Sequence, residues 1–228
     1  MIDKYICIFG SEGNMGKRYS SILNYLYYKW IGVDIVNHPS SMDRIYNYYN
    51  YYIIATPTDT HAKIIKDIKS PKANILCEKP ITKDIAELKE IYALCKERYQ
   101  SLFMVDNYCH CDLLHSSFNY TNNTLYDYYN SGKDGLAWDC IQLINLASDK
   151  ICLYNYSPEW TCAINGKTVS RDSIDRSYVL MIRTFLDDKM HMNENRMIKL
   201  HENTGRIQDE INKSKNGCYR GPSKIEQS

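Results

Sequence analysis

A chain of 228 residues can bury one good core, or one α/β domain with a smaller companion. Its 28 Lys and Arg balance 27 Asp and Glu for a formal net charge of +1, which excludes a global field that would recruit nucleic acid or an anionic membrane. No stretch approaches the roughly 20 apolar residues a membrane span requires, and Met1-Ile2-Asp3-Lys4 has neither region of a signal peptide, so a cytosolic-type compartment is expected, host cytoplasm for a viral chain.

Strand and helix patterns alternate through the first half. Residues 4–10 form a short apolar run ending in glycine, as a buried parallel strand does. Met15, Tyr19, Ile22, Leu23 and Leu26 then mark one face of a helix. Residues 30–36 read as strand with Asp34 near the end, 51–55 as strand, and Ala62, Ile64, Ile65 and Ile68 as a helix. Residues 73–77 are strand, Ile85, Leu88, Ile91 and Cys95 carry a helix, and 102–105 are strand again. With right-handed crossovers this order predicts an α/β fold built on a doubly wound parallel sheet of Rossmann type.

The pattern changes after about residue 108. Residues 121–133 are polar and tyrosine-rich and read as a loop or irregular connection. Leu136, Cys140, Leu143, Ile144 and Ala147 form a helical stripe. Two short strands follow at 151–156 and 160–164, and Asn165-Gly166 signals a turn. Ile174, Tyr178, Met181, Ile182 and Phe185 mark a helix with Ser170 as its N-cap, and another runs through Met197, Leu200 and His201. The expected organisation is a Rossmann domain at 1–108, a small α+β domain with a truncated sheet at 109–207, and a flexible tail at 208–228.

Three motifs close strands in order: Gly10-Ser11-Glu12-Gly13-Asn14-Met15-Gly16, then Ala55-Thr56-Pro57 with His61 four residues on, then Glu78-Lys79-Pro80. Glycines at a strand–helix junction let backbone N–H groups approach a pyrophosphate at the helix N-terminus. The Gly10-x-x-Gly13 spacing is one residue longer than usual but leaves Gly13 and Gly16 in register with the helix start. Asp34 ends the next strand, 24 residues after Gly10, where an acidic side chain accepts the ribose hydroxyls of NAD and repels the 2′-phosphate of NADP. The expected cofactor is therefore NAD(H) or NADP(H), with NAD preferred; Asn37 and His38 beside Asp34, and Lys or Arg from elsewhere in the chain, are residues able to reverse that order.

Gly13-Asn14-Met15-Gly16-Lys17-Arg18, Ala55-Thr56-Pro57 with His61, and Cys77-Glu78-Lys79-Pro80 resemble the N-terminal half of the glucose–fructose oxidoreductase and inositol dehydrogenase (Gfo/Idh/MocA-like) family. The resemblance runs through residues 1–108, and more loosely through 135–147 and 170–206. It implies an NAD(P)-dependent oxidoreductase passing a hydride between nicotinamide and a small hydroxyl or carbonyl substrate, a sugar or sugar derivative among the candidates. It implies cofactor contacts from Gly10, Gly13, Asn14, Met15, Gly16, Asp34, Thr56, Pro57, His61, Glu78 and Lys79. Lys79 takes the role of touching the substrate hydroxyl and nicotinamide, and the Lys79–Pro80 bond is of a kind often cis in the family.

Family members also carry an aspartate and, four residues later, the histidine that serves as acid–base group. Asp139 in Trp138-Asp139-Cys140-Ile141-Gln142-Leu143 matches the aspartate, but Leu143 fills the histidine's position, and leucine cannot carry a proton. Asp139 lies at the edge of the helical stripe and Gln142 on its polar side; Gln142 and, from outside this helix, Asn107 are tentative substrate contacts. Three outcomes stay open: Asp139 or Lys79 relays the proton, the substrate needs no protein base, or the chain is a catalytically inactive dinucleotide- or sugar-binding regulator. About twenty residues between that helix and Ser170 leave room for two short strands, so most of the family's open sheet is expected to be missing, and a homodimer to bury the surface this exposes.

Two features carry blander readings. Tyrosine, at 21 residues, is densest from Tyr46 to Tyr52, but no basic residues interleave, so coding bias explains it better than nucleic-acid stacking. Cys109-His110-Cys111 with His115 lacks the paired spacing of a zinc site; no metal is expected, and nine cysteines scattered through apparent elements read as reduced thiols.

Overall fold

The computed structural model describes residues 4–34, 42–111, 126–129, 136–147, 151–154, 161–164, 167–214 and 219–220. Asn37, His38, His115, Trp160 and Asn165-Gly166 lie outside them. The chain divides into two compact units, one of residues 1–105 with 182–195 and one of residues 106–181 with 196–228. No helix of the described residues is long and apolar enough to cross a membrane.

The first unit is built on five parallel strands: β1 (Ile6–Phe9), β2 (Trp30–Val33), β3 (Tyr51–Ile54), β4 (Asn74–Cys77) and β5 (Ser101–Met104), in the order β2-β1-β3-β4-β5. Helices α1 (Asn14–Tyr25), α2 (Met42–Tyr48), α3 (Thr58–Asp67) and α4 (Ile85–Glu97) make the connections. Every residue of β1 and β3 is buried, as a parallel sheet covered on both faces requires. The helix faces read from the sequence supply the cover: Tyr19, Ile22 and Leu23 of α1, Ala62 and Ile65 of α3, and Leu88, Ile91 and Cys95 of α4 are all buried. The doubly wound parallel sheet is as expected. Helix α2 adds to it, since its Ile45-Tyr46-Asn47-Tyr48 sequence carries no clear apolar period.

The tyrosine run divides between packing roles. Tyr52 is fully buried and donates its hydroxyl to the Ile45 carbonyl, Tyr46 stacks on Phe9, and Tyr51 meets Phe185 edge-on while its hydroxyl donates to Asp188 at 2.7 Å. The seven described cysteines carry free thiols. Burial pushes the Cys7 and Cys77 thiols far above the ordinary range and that of Cys95 up to about 11, so these sulfurs behave as small apolar side chains.

The second unit starts with a 3-10 turn at Asn107–His110, and its second sheet comprises β6 (Tyr126–Tyr129), β7 (Ile151–Tyr154), β8 (Thr161–Ile164), β9 (Lys167–Thr168) and β10 (Tyr219–Arg220), in the order β10-β7-β6-β8-β9. This corrects the two-strand expectation. Strand β6 falls in the stretch read as a loop, because Tyr-Asp-Tyr-Tyr shows no alternation, and β9 and β10 are two-residue pairings too short to leave a pattern. The single helix expected over the Leu136–Ala147 stripe is interrupted at Cys140 into α5 (Leu136–Asp139) and α6 (Ile141–Ala147).

Two long helices contribute to both units: α7 (Arg171–Leu186) and α8 (Glu194–Lys213). Ser170 caps α7 as expected, its Oγ accepting from Ser173 N at 3.2 Å. Helix α8 continues past the expected fraying point at Gln208, with Ile207 and Ile211 buried on the same face as Met197 and Leu200.

Candidate functional site

In the first unit the sheet register aligns the three motifs. Phe9 pairs with Val33 and Ile54, Ile54 with Cys77, and Cys77 with Met104. The residues that follow them, Gly10, Asp34, Ala55, Glu78 and Val105, therefore leave the sheet side by side at its carboxyl edge. Neighbouring strands are about 4.8 Å apart, so Gly10 and Glu78, two strands from one another, are separated by roughly 10 Å. Crevices at this edge are where open α/β sheets bind ligands.

The glycine turn is shaped by contacts only glycine permits. Gly10 has φ +79°, and a Cβ there would lie 2.7 Å from the Ala55 carbonyl oxygen. A Cβ on Gly16 would lie 2.0 Å from the Gly10 carbonyl oxygen. The turn closes through Gly13 N donating to Gly10 O at 3.1 Å, and α1 begins with no side-chain cap and no acidic residue in its first turn. Uncapped N–H groups at a helix start carry the positive end of the helix dipole and suit an anion. Asn14 is exposed and Met15 half-buried at that start. Asp34 reaches the turn directly, its Oδ2 accepting from Glu12 N at 3.1 Å.

The Glu78-Lys79-Pro80 segment is braced from two sides. Glu78 is buried, with Oε1 accepting from the Tyr19 hydroxyl of α1 and Oε2 from Lys79 N at 3.1 Å. The Lys79–Pro80 bond is cis, as the resemblance suggested. His61, 1% exposed, sits between loops: its ring nitrogens lie 2.9 Å from Pro80 O and 2.8 Å from Thr56 O. Thr56 Oγ1 accepts from Thr60 Oγ1 at 2.7 Å, and exposed Pro57 precedes the first turn of α3. Lys79 itself is half-buried. The structure thus brings Gly10, Gly13, Gly16, Asp34, Thr56, Glu78 and Lys79 to one edge. It gives His61 a bracing position, and it adds Tyr19, which the sequence showed only as part of an apolar helix face.

In the second unit Asp139 ends α5 and is buried, and Leu143 is fully buried. Gln142 does not occupy a polar face: Ile141 through Ile144 are all buried, because this first turn of α6 is covered on every side. Gln142 Nε2 donates to Asn107 Oδ1 at 3.0 Å and Asn107 Nδ2 donates to Ser177 Oγ at 2.9 Å, so both tentative substrate contacts belong to a buried polar chain. Cys109 Sγ contacts Asp106 and Cys111 Sγ contacts Ser173, and no group of metal-ligating side chains occurs among the described residues.

An uncapped helix start beside a glycine cradle, with a carboxylate from the next strand, is the arrangement at which Rossmann folds bind dinucleotides, and residues 27–106 match the family model GFO_IDH_MocA, described as "Oxidoreductase family, NAD-binding Rossmann fold". The match covers about a third of the chain and agrees with the resemblance read from its motifs. The match begins after the longer-spaced glycine turn. No curated protein sequence matches the chain.

Solved structures share the fold. The WlbA (WbpB) dehydrogenase of Thermus thermophilus, in complex with NAD and alpha-ketoglutarate, superposes with a TM-score of 0.66 at 12% identity, covering 89% of this chain and 94% of that one. The UDP-N-acetylglucosamine 3-dehydrogenase GnnA of Acidithiobacillus ferrooxidans gives 0.68 at 13% identity over 92% and 98%. A Gfo/Idh/MocA family oxidoreductase of Vibrio cholerae gives 0.64 at 11% identity over 92% and 98%.

Proposed function

We propose that this chain is an NAD(P)-dependent oxidoreductase that interconverts a hydroxyl and a carbonyl group on a small molecule, sugar derivatives being the favoured class. The observation that carries the reading is the glycine cradle at the uncapped start of α1, aligned on one sheet edge with Asp34 and Lys79. The fold and the GnnA likeness support the substrate class. Backbone N–H groups at Asn14 to Gly16 hold the pyrophosphate, Asp34 accepts the ribose hydroxyls, and Lys79 donates to the substrate oxygen. Bound nicotinamide supplies or accepts the hydride. The regulatory alternative rests on Leu143 alone, and nothing in the family or its structures adds to it. A homodimer and a cytosolic location complete the reading, exposed Tyr25, Tyr27 and Leu180 offering apolar surface for self-association.

The test is a fluorescence titration with NADH, followed by a screen of small carbonyl compounds for NADH consumption. Saturable binding is expected, and Lys79→Ala should retain it while losing turnover by roughly a hundredfold or more. A chain that binds neither NADH nor NADPH is not this enzyme.

Asp34 sets the preference for NAD in this reading. Its Oδ2 already accepts from the turn, so the carboxylate stands where a 2′-phosphate would meet like charge. Asp34→Ser should raise the ratio of NADPH to NADH affinity by at least about tenfold, roughly 1.4 kcal/mol. An unchanged ratio would assign the selection to other residues.

A further inference from the structure

Part of the tyrosine run builds a cleft at the opposite end of the first sheet from the glycine turn. Ile6, Trp30 and Tyr51 are in register at the starts of β1, β2 and β3. The residues just ahead of the first two, Lys4-Tyr5 and Tyr28-Lys29, line a cavity of about 640 Å³ together with Tyr48 and Tyr49 at the end of α2. That volume suits a small molecule. A four-residue strand spans about 13 Å, so this amino edge is a different place from the carboxyl edge where the three motifs emerge.

The walls are held in advance. Tyr52 is fully buried, and Tyr49 packs edge-on against it at 6.3 Å between centroids while donating its backbone N–H to the Tyr52 hydroxyl at 3.2 Å. Tyr48 stands edge-on to Tyr49 and tilted against Tyr5, each at 5.3 Å. Tyr5 N donates to Asn50 Oδ1 at 2.9 Å, and the Trp30 indole, also in the lining, donates to Asn24 Oδ1 at 2.9 Å. Aromatic surface nonetheless stays open: Tyr5 is 44% exposed, Tyr48 51% and Tyr27 96%. Aromatic side chains already fixed in place cover a flat ring at little further cost in order.

The polar groups select the charge. Apart from phenol hydroxyls and the indole, the side chains of the lining carry only two ammonium groups, with no carboxylate and no amide. A cation would find no acid there, and a sugar no carboxylate or amide to accept from its hydroxyls. Lys4 is engaged, 3.8 Å from Asp188 and 4.9 Å from the centre of the Tyr51 ring. Lys29 is exposed and makes no ion pair or hydrogen bond among the described residues. The Arg44 guanidinium, 5.8 Å from the centre of the Tyr48 ring, adds positive charge beside the cavity.

We propose that this cleft binds a planar aromatic ring carrying an anionic group, the ring against Tyr5 and Tyr48 and the anion at Lys29. A nucleotide and an aryl carboxylate share that chemistry. The site does not depend on the oxidoreductase reading, and it gives Tyr48 and Tyr49 a use besides packing.

Calorimetric titration of the full chain with AMP and, separately, with 2-naphthoate tests it, NAD being present in excess to fill the dinucleotide site. Saturable binding of at least one probe is expected with a Kd below about 1 mM, weakening as salt rises. AMP alone would make the occupant a nucleotide, naphthoate alone an aryl carboxylate, and either or both support the site. Tyr48→Ala should weaken binding about tenfold and Lys29→Ser about fivefold, while Tyr48→Phe retains it. Lys29 is exposed, so its variant decides the matter even if Tyr48→Ala does not fold. Binding indifferent to Lys29→Ser, or equally strong for adenosine and AMP, overturns the proposal. So does a chain that binds neither probe, including one that Tyr48→Ala converts from dimer to monomer, which would give the cleft to a second copy. A chain that binds a probe through Lys29 but no NAD or NADP overturns the enzymatic reading and leaves this site standing.

Discussion

Gly16→Ala should abolish NADH binding, with the affinity falling more than about a hundredfold, or roughly 3 kcal/mol. The added Cβ would lie 2.0 Å from the Gly10 carbonyl oxygen. Nothing flexible can yield there: the oxygen belongs to a backbone turn, and Gly10 is itself at φ +79° with the Ala55 carbonyl against it. Relief requires α1 to move away from the turn, which displaces the N–H groups proposed to hold the pyrophosphate. Helix α1 also carries Tyr19, whose hydroxyl braces Glu78, so the same displacement loosens the lysine segment. Overpacking of this kind costs about 1–3 kcal/mol of stability and more when only backbone can give way. Fluorescence titration beside a denaturation curve separates the two effects, and Ser21→Ala, on the exposed side of α1, is the control. NADH binding within threefold of wild type would show that the cradle is not where the cofactor lies.

The second large effect is a loss of stability in acid traceable to His201. The ring is fully buried on α8, beside Trp138 at 5.9 Å between centroids. Nδ1–H donates to Met197 O at 2.8 Å, and buried Nε2 has no partner among the described residues. Protonation would bury an unmatched charge, so burial lowers the ring from 6.5 to about 4. The unfolded ring binds a proton near pH 6.5 and the folded ring does not, so unfolding takes up a proton between those values. The stabilising contribution is complete above about pH 6.5 and declines as pH falls toward 4, amounting to about 3 kcal/mol. Asp106 acts in the opposite sense, its raised carboxyl favouring the fold as pH falls, so the comparison must isolate His201. Urea denaturation at several pH values, wild type against His201→Phe, should show a shallower slope for the variant over that window. Equal slopes would mean that the ring titrates alike in both states.

Much of the first unit was legible because parallel strands buried on both faces leave continuous apolar runs, and helices packed on them leave a single apolar face. Ile6–Phe9, Tyr51–Ile54 and the Leu88, Ile91, Cys95 stripe announced themselves this way. Glycine spacing, Asp34 and the Glu-Lys-Pro segment were legible because special backbone geometry and strand-end chemistry restrict the residue types that serve. The second unit was not legible in this way. Tyr126–Tyr129 has no alternation, and Gln142 looked exposed because periodicity assumed one unbroken helix through Cys140.

The five parallel strands of the first unit with α1, α3 and α4, the glycine turn and the absence of a protonatable group at Leu143 are properties of the sequence, since each depends on local pattern or on one residue's chemistry. Tertiary structure alone decided that Tyr19 holds Glu78, that His61 joins the Thr56 and Pro80 carbonyls, and that Asn145 and Cys109 converge on one oxygen of Asp106. These pairings join residues far apart in the chain or on different elements, and their energies depend on burial and on which atoms meet, quantities that exist only once the elements have packed.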